Sequence, residues 1–76
     1  MKLILPELGE GIQKATIACW HKNAGEYVRK DEDVVEVVTD KATFNIPSET
    51  EGVLKIIFIK EGEEAKVGEP LAVIDP

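Results

Sequence analysis

The sequence predicts an all-β domain, a flattened β-barrel or sandwich of two four-stranded antiparallel sheets. Short runs of β-branched and apolar residues alternate with turns of glycine, proline or clustered charges, which recur too often for a helix of ordinary length. The second half also resembles the first at a spacing of 37 residues, which aligns Gly25 with Gly62 and Ile17 with Leu54. Half a domain cannot bury its own apolar face, so the halves are expected to pack together about a pseudo-twofold axis.

The strands follow from runs rich in valine, isoleucine, threonine and aromatic residues, which fit a pleated, half-buried surface. In chain order they are expected at Lys2–Leu5, Thr16–His21, Tyr27–Val28, Val34–Val38, Thr43–Ile46, Val53–Ile59 and Leu71–Ile74. Turns are expected between them, at Asn23–Glu26, Arg29–Asp33, Pro47–Gly52, Glu61–Glu64 and Lys66–Pro70.

The two central strands lie so close together in sequence that they must form a hairpin. Asp40 and Lys41 are the residues between them that are poor at forming a strand, so the turn is placed there. Asp40 is expected to hold the turn by bonding its own backbone. Lys41 then lies at the tip and points into water, where its amine is well placed for the attachment of another group.

The repeat also predicts where the chain ends lie. The strand Val34–Val38 is followed directly by its hairpin partner, whereas the equivalent strand Leu71–Ile74 has nothing after it. Lys2–Leu5 is the natural substitute, because it would protect that sheet edge. The termini then take the place that the Lys41 turn holds in the other half, and the twofold axis puts the two at opposite ends. The loop after the first strand is expected to return to the Lys41 end.

Composition limits the possible functions. A chain of 76 residues forms one small domain with little room for a deep cleft, so function is expected on the surface. The formal charge of −6 argues against nucleic-acid binding, and no run approaches the length of a membrane span. Cys19 and His21 are the only cysteine and histidine, which argues against an internal disulfide or a multi-cysteine metal site. No metal and no catalytic residue are predicted.

Several segments together closely resemble the lipoyl domain of the E2 (dihydrolipoyl acyltransferase) component of 2-oxo acid dehydrogenase complexes. The resemblance covers nearly the whole chain and implies a barrel-sandwich hybrid fold. The segments that carry it are Leu5–Ile12, Thr39–Thr43 and Ile46–Ser48, together with Gly25 and Gly52 on either side of the lysine.

The resemblance implies a swinging-arm carrier. Lipoic acid would be joined to Lys41 by an amide bond, formed by a lipoate ligase or lipoyl transferase that recognises Asp40 and Ala42. The arm would visit the thiamin-diphosphate-dependent decarboxylase (E1), the acyltransferase core (E2) and the flavin-dependent dihydrolipoamide dehydrogenase (E3). The resemblance also implies that E1 recognises the loop made of Leu8, Gly9, Glu10, Gly11, Ile12 and Gln13.

The resemblance implies pyruvate dehydrogenase first, with branched-chain and 2-oxoglutarate complexes as alternatives. The isolated domain is expected to be monomeric and to have no active site, whereas the parent chain resembles a dihydrolipoyllysine-residue acyltransferase. Residues 1 to 76 are expected to be a single domain at the N-terminus of that chain. The expected location is the cytoplasm of a prokaryote or, with a presequence absent here, the mitochondrial matrix.

Three other classes of protein compete with this interpretation. A biotinyl carrier domain shares the fold, but its lysine is typically flanked by methionines, where Asp40 and Ala42 stand here. An unmodified hybrid barrel of the kind found in export adaptors needs no such lysine. An enzyme that forms a Schiff base through Lys41 needs a desolvated amine in a pocket, which a hairpin tip in water does not provide.

Overall fold

The structure, a computed structural model, describes all residues from Met1 to Pro76 and consists of eight short strands. No helix in it is long and apolar enough to cross a membrane. The strands are β1 (Lys2–Ile4), β2 (Lys14–Trp20), β3 (Tyr27–Val28), β4 (Asp33–Val38), β5 (Thr43–Pro47), β6 (Gly52–Ile57), β7 (Glu64–Lys66) and β8 (Pro70–Asp75).

These strands form two four-stranded antiparallel sheets, in the orders β1-β8-β6-β3 and β5-β4-β2-β7. A shift of 37 residues relates β2 to β6, β3 to β7 and β4 to β8. The remaining pair is β1 and β5, which lie at the sheet edges beside the equivalent strands β8 and β4. The predicted all-β class, the two sheets and the edge position of the N-terminal strand are therefore confirmed.

The symmetry extends to individual hydrogen bonds. The Gly25 N–H donates to the Leu54 carbonyl at 2.7 Å, and the Gly62 N–H donates to the Ile17 carbonyl at 2.8 Å. The strand pairing shifts register directly after Ile17 in one sheet and directly after Leu54 in the other. A β-bulge bends a strand and increases its twist, so β2 and β6 are expected to bend at equivalent positions.

A single apolar core lies between the two sheets and joins the halves. Val34, Val35 and Val37 of β4 are completely buried, as are Leu71, Ala72 and Ile74 of β8. Fifteen buried residues make one contiguous cluster, with Trp20 packed against it. This arrangement buries the apolar face that each half would expose alone.

Most strand boundaries differ by one or two residues from those predicted, and one strand is new. The strand β7 was not predicted: Glu64 and Lys66 were placed in two turns, but Ala65 between them is fully buried and pairs with Ala15. This pairing also draws the start of β2 back to Lys14. The strand β6 ends at Ile57, although the Phe58 N–H still donates to the Leu71 carbonyl of β8 at 2.8 Å, and the Phe58 side chain is 49% exposed.

Candidate functional site

Lys41 lies at the tip of the β4-β5 hairpin, as predicted. The last paired residues of the ladder are Val38 and Thr43, and the chain turns through the four residues between them. Lys41 is exposed, and neither of the two ion pairs in the molecule involves it. Its amine is therefore free to react with a partner from solution.

The turn is held by Thr39 and not by Asp40, which corrects the expectation from sequence. The Thr39 hydroxyl oxygen accepts hydrogen bonds from the backbone N–H groups of Lys41 and Ala42, both at 3.1 Å. The same hydroxyl donates to the Ala42 carbonyl at 3.2 Å, and the Thr39 N–H donates to that carbonyl at 2.8 Å. Asp40 and Ala42 flank the lysine and are exposed.

The hairpin tip and the chain termini lie at opposite ends of the molecule. The strand β2 starts beside the hairpin, where Thr16 pairs with Val38, and β6 starts beside the C-terminus, where Val53 pairs with Asp75. Gly25, which follows β2, bonds to Leu54 near the start of β6, and Gly62, which follows β6, bonds to Ile17 in β2. The strands β2 and β6 therefore run in opposite directions. Met1 donates from its terminal amine to Ile74 and thus lies at the far end.

The loop after β1 reaches the hairpin end, and half of its predicted residues border the lysine. Gly11, Ile12 and Gln13 line an open groove of about 750 Å³ whose other side includes Thr39, Asp40 and Lys41. Leu8 instead packs against the core, and Gly9 accepts a hydrogen bond from the Ile12 N–H at 3.2 Å. Glu10 is exposed.

The floor of this groove comes from residues that sequence reasoning did not select. Lys14, Ala15 and Thr16 of β2 line it together with Val38, and Glu64 of β7 closes it. Lys14 and Glu64 form an ion pair at 3.5 Å whose side chains are 65% and 59% exposed, so it adds little stability. The offset of 37 residues aligns β7 with the predicted strand β3, so it could have indicated that Glu64 lies in a strand.

The remaining groups with potential chemistry lie elsewhere. The His21 ring contacts the Asn45 side-chain oxygen at 2.9 Å and the Cys19 sulfur at 3.7 Å. No group of three or more histidine, cysteine, aspartate or glutamate side chains converges as a metal site would require. The exposed amine of Lys41, beside an open groove, is thus the feature best suited to covalent attachment.

Comparison with known proteins agrees with this geometry. The biotin/lipoyl family model, described as "Biotin-requiring enzyme", matches residues 1–74. The solution structure of the lipoyl domain of the 2-oxoglutarate dehydrogenase complex from Azotobacter vinelandii superposes with a TM-score of 0.80 at 34% identity. That match covers 100% of this chain and 96% of the other.

Curated relatives include succinyltransferase components of 2-oxoglutarate dehydrogenase complexes. The protein from Staphylococcus saprophyticus is 43% identical over 70 residues, which are 92% of this chain and 16% of that protein. The protein from Haemophilus influenzae is 40% identical over 63 residues, 83% of this chain and 15% of that protein. A probable mitochondrial component from Schizosaccharomyces pombe is 41% identical over 70 residues, 92% of this chain and 16% of that protein. The chain thus spans about a sixth of the length of these relatives.

Proposed function

The chain belongs to the biotin/lipoyl family and is a lipoyl domain of the E2 type found in 2-oxo acid dehydrogenase complexes, and on that premise we propose that it carries a lipoyl group on Lys41. The observation that supports the assignment is the exposed lysine at the tip of the β4-β5 hairpin, at the end of the molecule away from both termini. A lipoyl group joined there by an amide bond is held clear of the barrel and of the chain that tethers it.

The residues present fit such a group. Lys41 supplies a primary amine with no ion-pair partner, and amide formation removes its charge. When bound, the lipoyl dithiolane supplies the acyl-carrying and redox chemistry, while the protein supplies presentation and recognition. Tethering raises the local concentration of the arm at each successive site, so that transfer becomes effectively intramolecular.

We further propose that the complex is the 2-oxoglutarate dehydrogenase complex. Sequence reasoning placed pyruvate dehydrogenase first and named the 2-oxoglutarate complex as an alternative. The relatives from Staphylococcus saprophyticus and Haemophilus influenzae are succinyltransferase components, and the similar solved domain belongs to a 2-oxoglutarate complex. These similarities favour a succinyl group as the cargo.

The partners follow from this assignment. The arm would be loaded by E1, unloaded at the E2 core and reoxidised by E3, after a lipoate ligase or lipoyl transferase has modified Lys41. The groove beside the lysine supports recognition by E1 through Gly11, Ile12 and Gln13, because one partner can contact this loop and the hairpin together. Asp40 and Ala42 are proposed to be read by the modifying enzyme.

The first experiment tests the class of carrier. The domain is incubated with lipoate, ATP and a lipoate ligase, and in parallel with biotin, ATP and a biotin ligase, and its intact mass is measured. We expect one lipoyl adduct on the wild type, none on Lys41→Arg, and no biotin adduct. A biotin adduct would make the domain a biotinyl carrier, and the absence of both adducts would favour an unmodified barrel.

The second experiment tests the complex. The lipoylated domain is offered to the E1 enzymes of 2-oxoglutarate, pyruvate and branched-chain complexes with their substrates, and acylation is followed by mass. We expect kcat/KM to be highest with the 2-oxoglutarate E1. A higher value with either other E1 would assign the domain to that complex and leave the carrier function intact.

A further inference from the structure

The turn that carries Lys41 lies in a loop of four residues, 39 to 42, between the last paired residues Val38 and Thr43. Two residues, Asp40 and Lys41, separate Thr39 from Ala42. Closed two-residue hairpin loops need a positive φ at one or both central positions, whereas four-residue loops are commonly built around a type I turn, which needs none. The only non-glycine residue with a positive φ in this chain is Asp31, which lies outside the hairpin. Thr39 and Ala42 share only one backbone hydrogen bond, from the Thr39 N–H to the Ala42 carbonyl, so the backbone alone leaves the tip incompletely fixed.

The Thr39 hydroxyl provides that interaction. The Ala42 N–H donates to this hydroxyl at 3.1 Å instead of to the Thr39 carbonyl, which receives no bond from it. The Lys41 N–H donates to the same oxygen at 3.1 Å. One side chain thus orients the backbone of the lysine itself and of the residue after it, and satisfies two N–H groups that the ladder leaves open.

We propose that Thr39 is a positioning residue for the modification of Lys41, an inference that rests on the function proposed above. With the hydroxyl in place, Asp40, Lys41 and Ala42 are presented to a modifying enzyme in a single arrangement. Without it the tip samples several arrangements, and the apparent affinity of the enzyme falls with the fraction that is competent. The freed N–H groups are at an exposed tip and can bond water, so the barrel itself is expected to remain folded.

Three variants separate this role from a general effect of removing a hydroxyl. Thr39→Val removes the hydroxyl and keeps the shape, whereas Thr39→Ser keeps a hydroxyl. Thr43→Val is the matched control, because Thr43 is exposed on the other arm of the hairpin and its hydroxyl makes none of the hydrogen bonds at the tip. Each variant is tested with lipoate, ATP and a lipoate ligase, and amide hydrogen exchange is measured at Lys41 and Ala42.

For Thr39→Val we expect kcat/KM for the domain to fall on the order of tenfold, the effect of losing about two modest hydrogen bonds. The loss should arise in the KM for the domain, with the KM for lipoate unchanged, and exchange at Lys41 and Ala42 should accelerate. Thr39→Ser and Thr43→Val should stay within about twofold of the wild type.

Equal rates for Thr39→Val and a well-modified wild type would overturn the role of Thr39 and leave the carrier function standing. A loss in Thr39→Ser as large as in Thr39→Val would do the same. A wild type that accepts no lipoyl group would instead remove the proposed function, and with it this role of Thr39.

Discussion

Asp31 and Gly68 occupy equivalent positions in the two halves of the domain, and both have a left-handed backbone, with φ of 68° and 90°. Their N–H groups make equivalent hydrogen bonds, from Asp31 to the Ser48 carbonyl at 2.7 Å and from Gly68 to the Leu5 carbonyl at 2.8 Å. The same turn is therefore built once with glycine and once with a residue that has a Cβ atom. The half that contains Asp31 carries the strain.

We expect Asp31→Gly to stabilise the domain by about 0.5 kcal/mol, because relief of the left-handed strain outweighs the greater freedom of glycine in the unfolded chain. Gly68→Ala should cost about 1 kcal/mol for the opposite reason. Urea unfolding measures both. Asp31→Asn is the control for charge, since it removes the carboxylate and keeps the Cβ atom. A gain in Asp31→Asn equal to that in Asp31→Gly would show that charge, and not backbone strain, is responsible.

Gly52 allows the C-terminus to pack closely on β6. A Cβ atom at this position would lie 2.5 Å from the Asp75 carbonyl oxygen and 2.9 Å from the Pro76 Cα. Because both obstacles are backbone, we expect Gly52→Ala to lower the free energy of unfolding by about 2–3 kcal/mol.

Gly62→Ala is the control for Gly52→Ala, because its Cβ atom would meet open space and it should cost only about 1 kcal/mol from its positive φ of 88°. Thermal or urea unfolding of the two variants makes the comparison. A Gly52→Ala variant as stable as Gly62→Ala would show that the C-terminal residues move aside at little cost.

The pKa of Glu32 is lowered from its usual 4.5, chiefly because its carboxylate accepts a hydrogen bond from the Arg29 N–H at 2.9 Å, and further because Lys22 pairs with it at 3.1 Å. A carboxyl whose pKa is lower in the folded state stabilises the fold above its unfolded pKa, and this contribution is lost as pH falls through the folded pKa. Glu32→Gln should therefore flatten the acid side of the stability profile.

An NMR titration of the Glu32 carboxyl carbon separates the two causes. We expect a wild-type midpoint below 4.5 that rises only partway in Lys22→Gln, because the backbone hydrogen bond remains. Lys30→Gln is the matched control, because it removes an equal charge close in sequence from a residue that neither bonds nor pairs with Glu32, and it should leave the midpoint unchanged. A midpoint that returns fully to 4.5 in Lys22→Gln would show that the ion pair, and not the backbone hydrogen bond, is the main cause of the lowered pKa.

The features that could be predicted from sequence are those written in local composition or in the repeat. Valine-rich runs on either side of Asp40 and Lys41 define the hairpin, since a pleated strand and a charged turn differ sharply in composition. The strand β7 was missed because both residues around the buried Ala65 are charged, which is typical of a turn. Only its alignment with β3 carries the signal for that strand.

The details of the site depend on geometry that composition does not encode. A threonine two residues before a lysine is equally compatible with an unbonded strand residue, so the role of the Thr39 hydroxyl emerges only with the turn conformation. Likewise, only three of the six loop residues selected from sequence border the groove, and Leu8 instead packs against the core. The acyl group handled depends on partner enzymes, so no residue pattern in this chain predicts it, and the succinyl cargo proposed above is supported by similarity to relatives.

The most direct test of the carrier assignment is to locate the adduct. The domain is lipoylated by the ligase, digested and fragmented, and the modified residue is identified by mass spectrometry. We expect the entire lipoyl mass on Lys41, with the other lysines, including Lys14 at the groove, unmodified. A lipoyl group on any other lysine, or a Lys41→Arg variant that is still modified at the wild-type rate, would contradict the account.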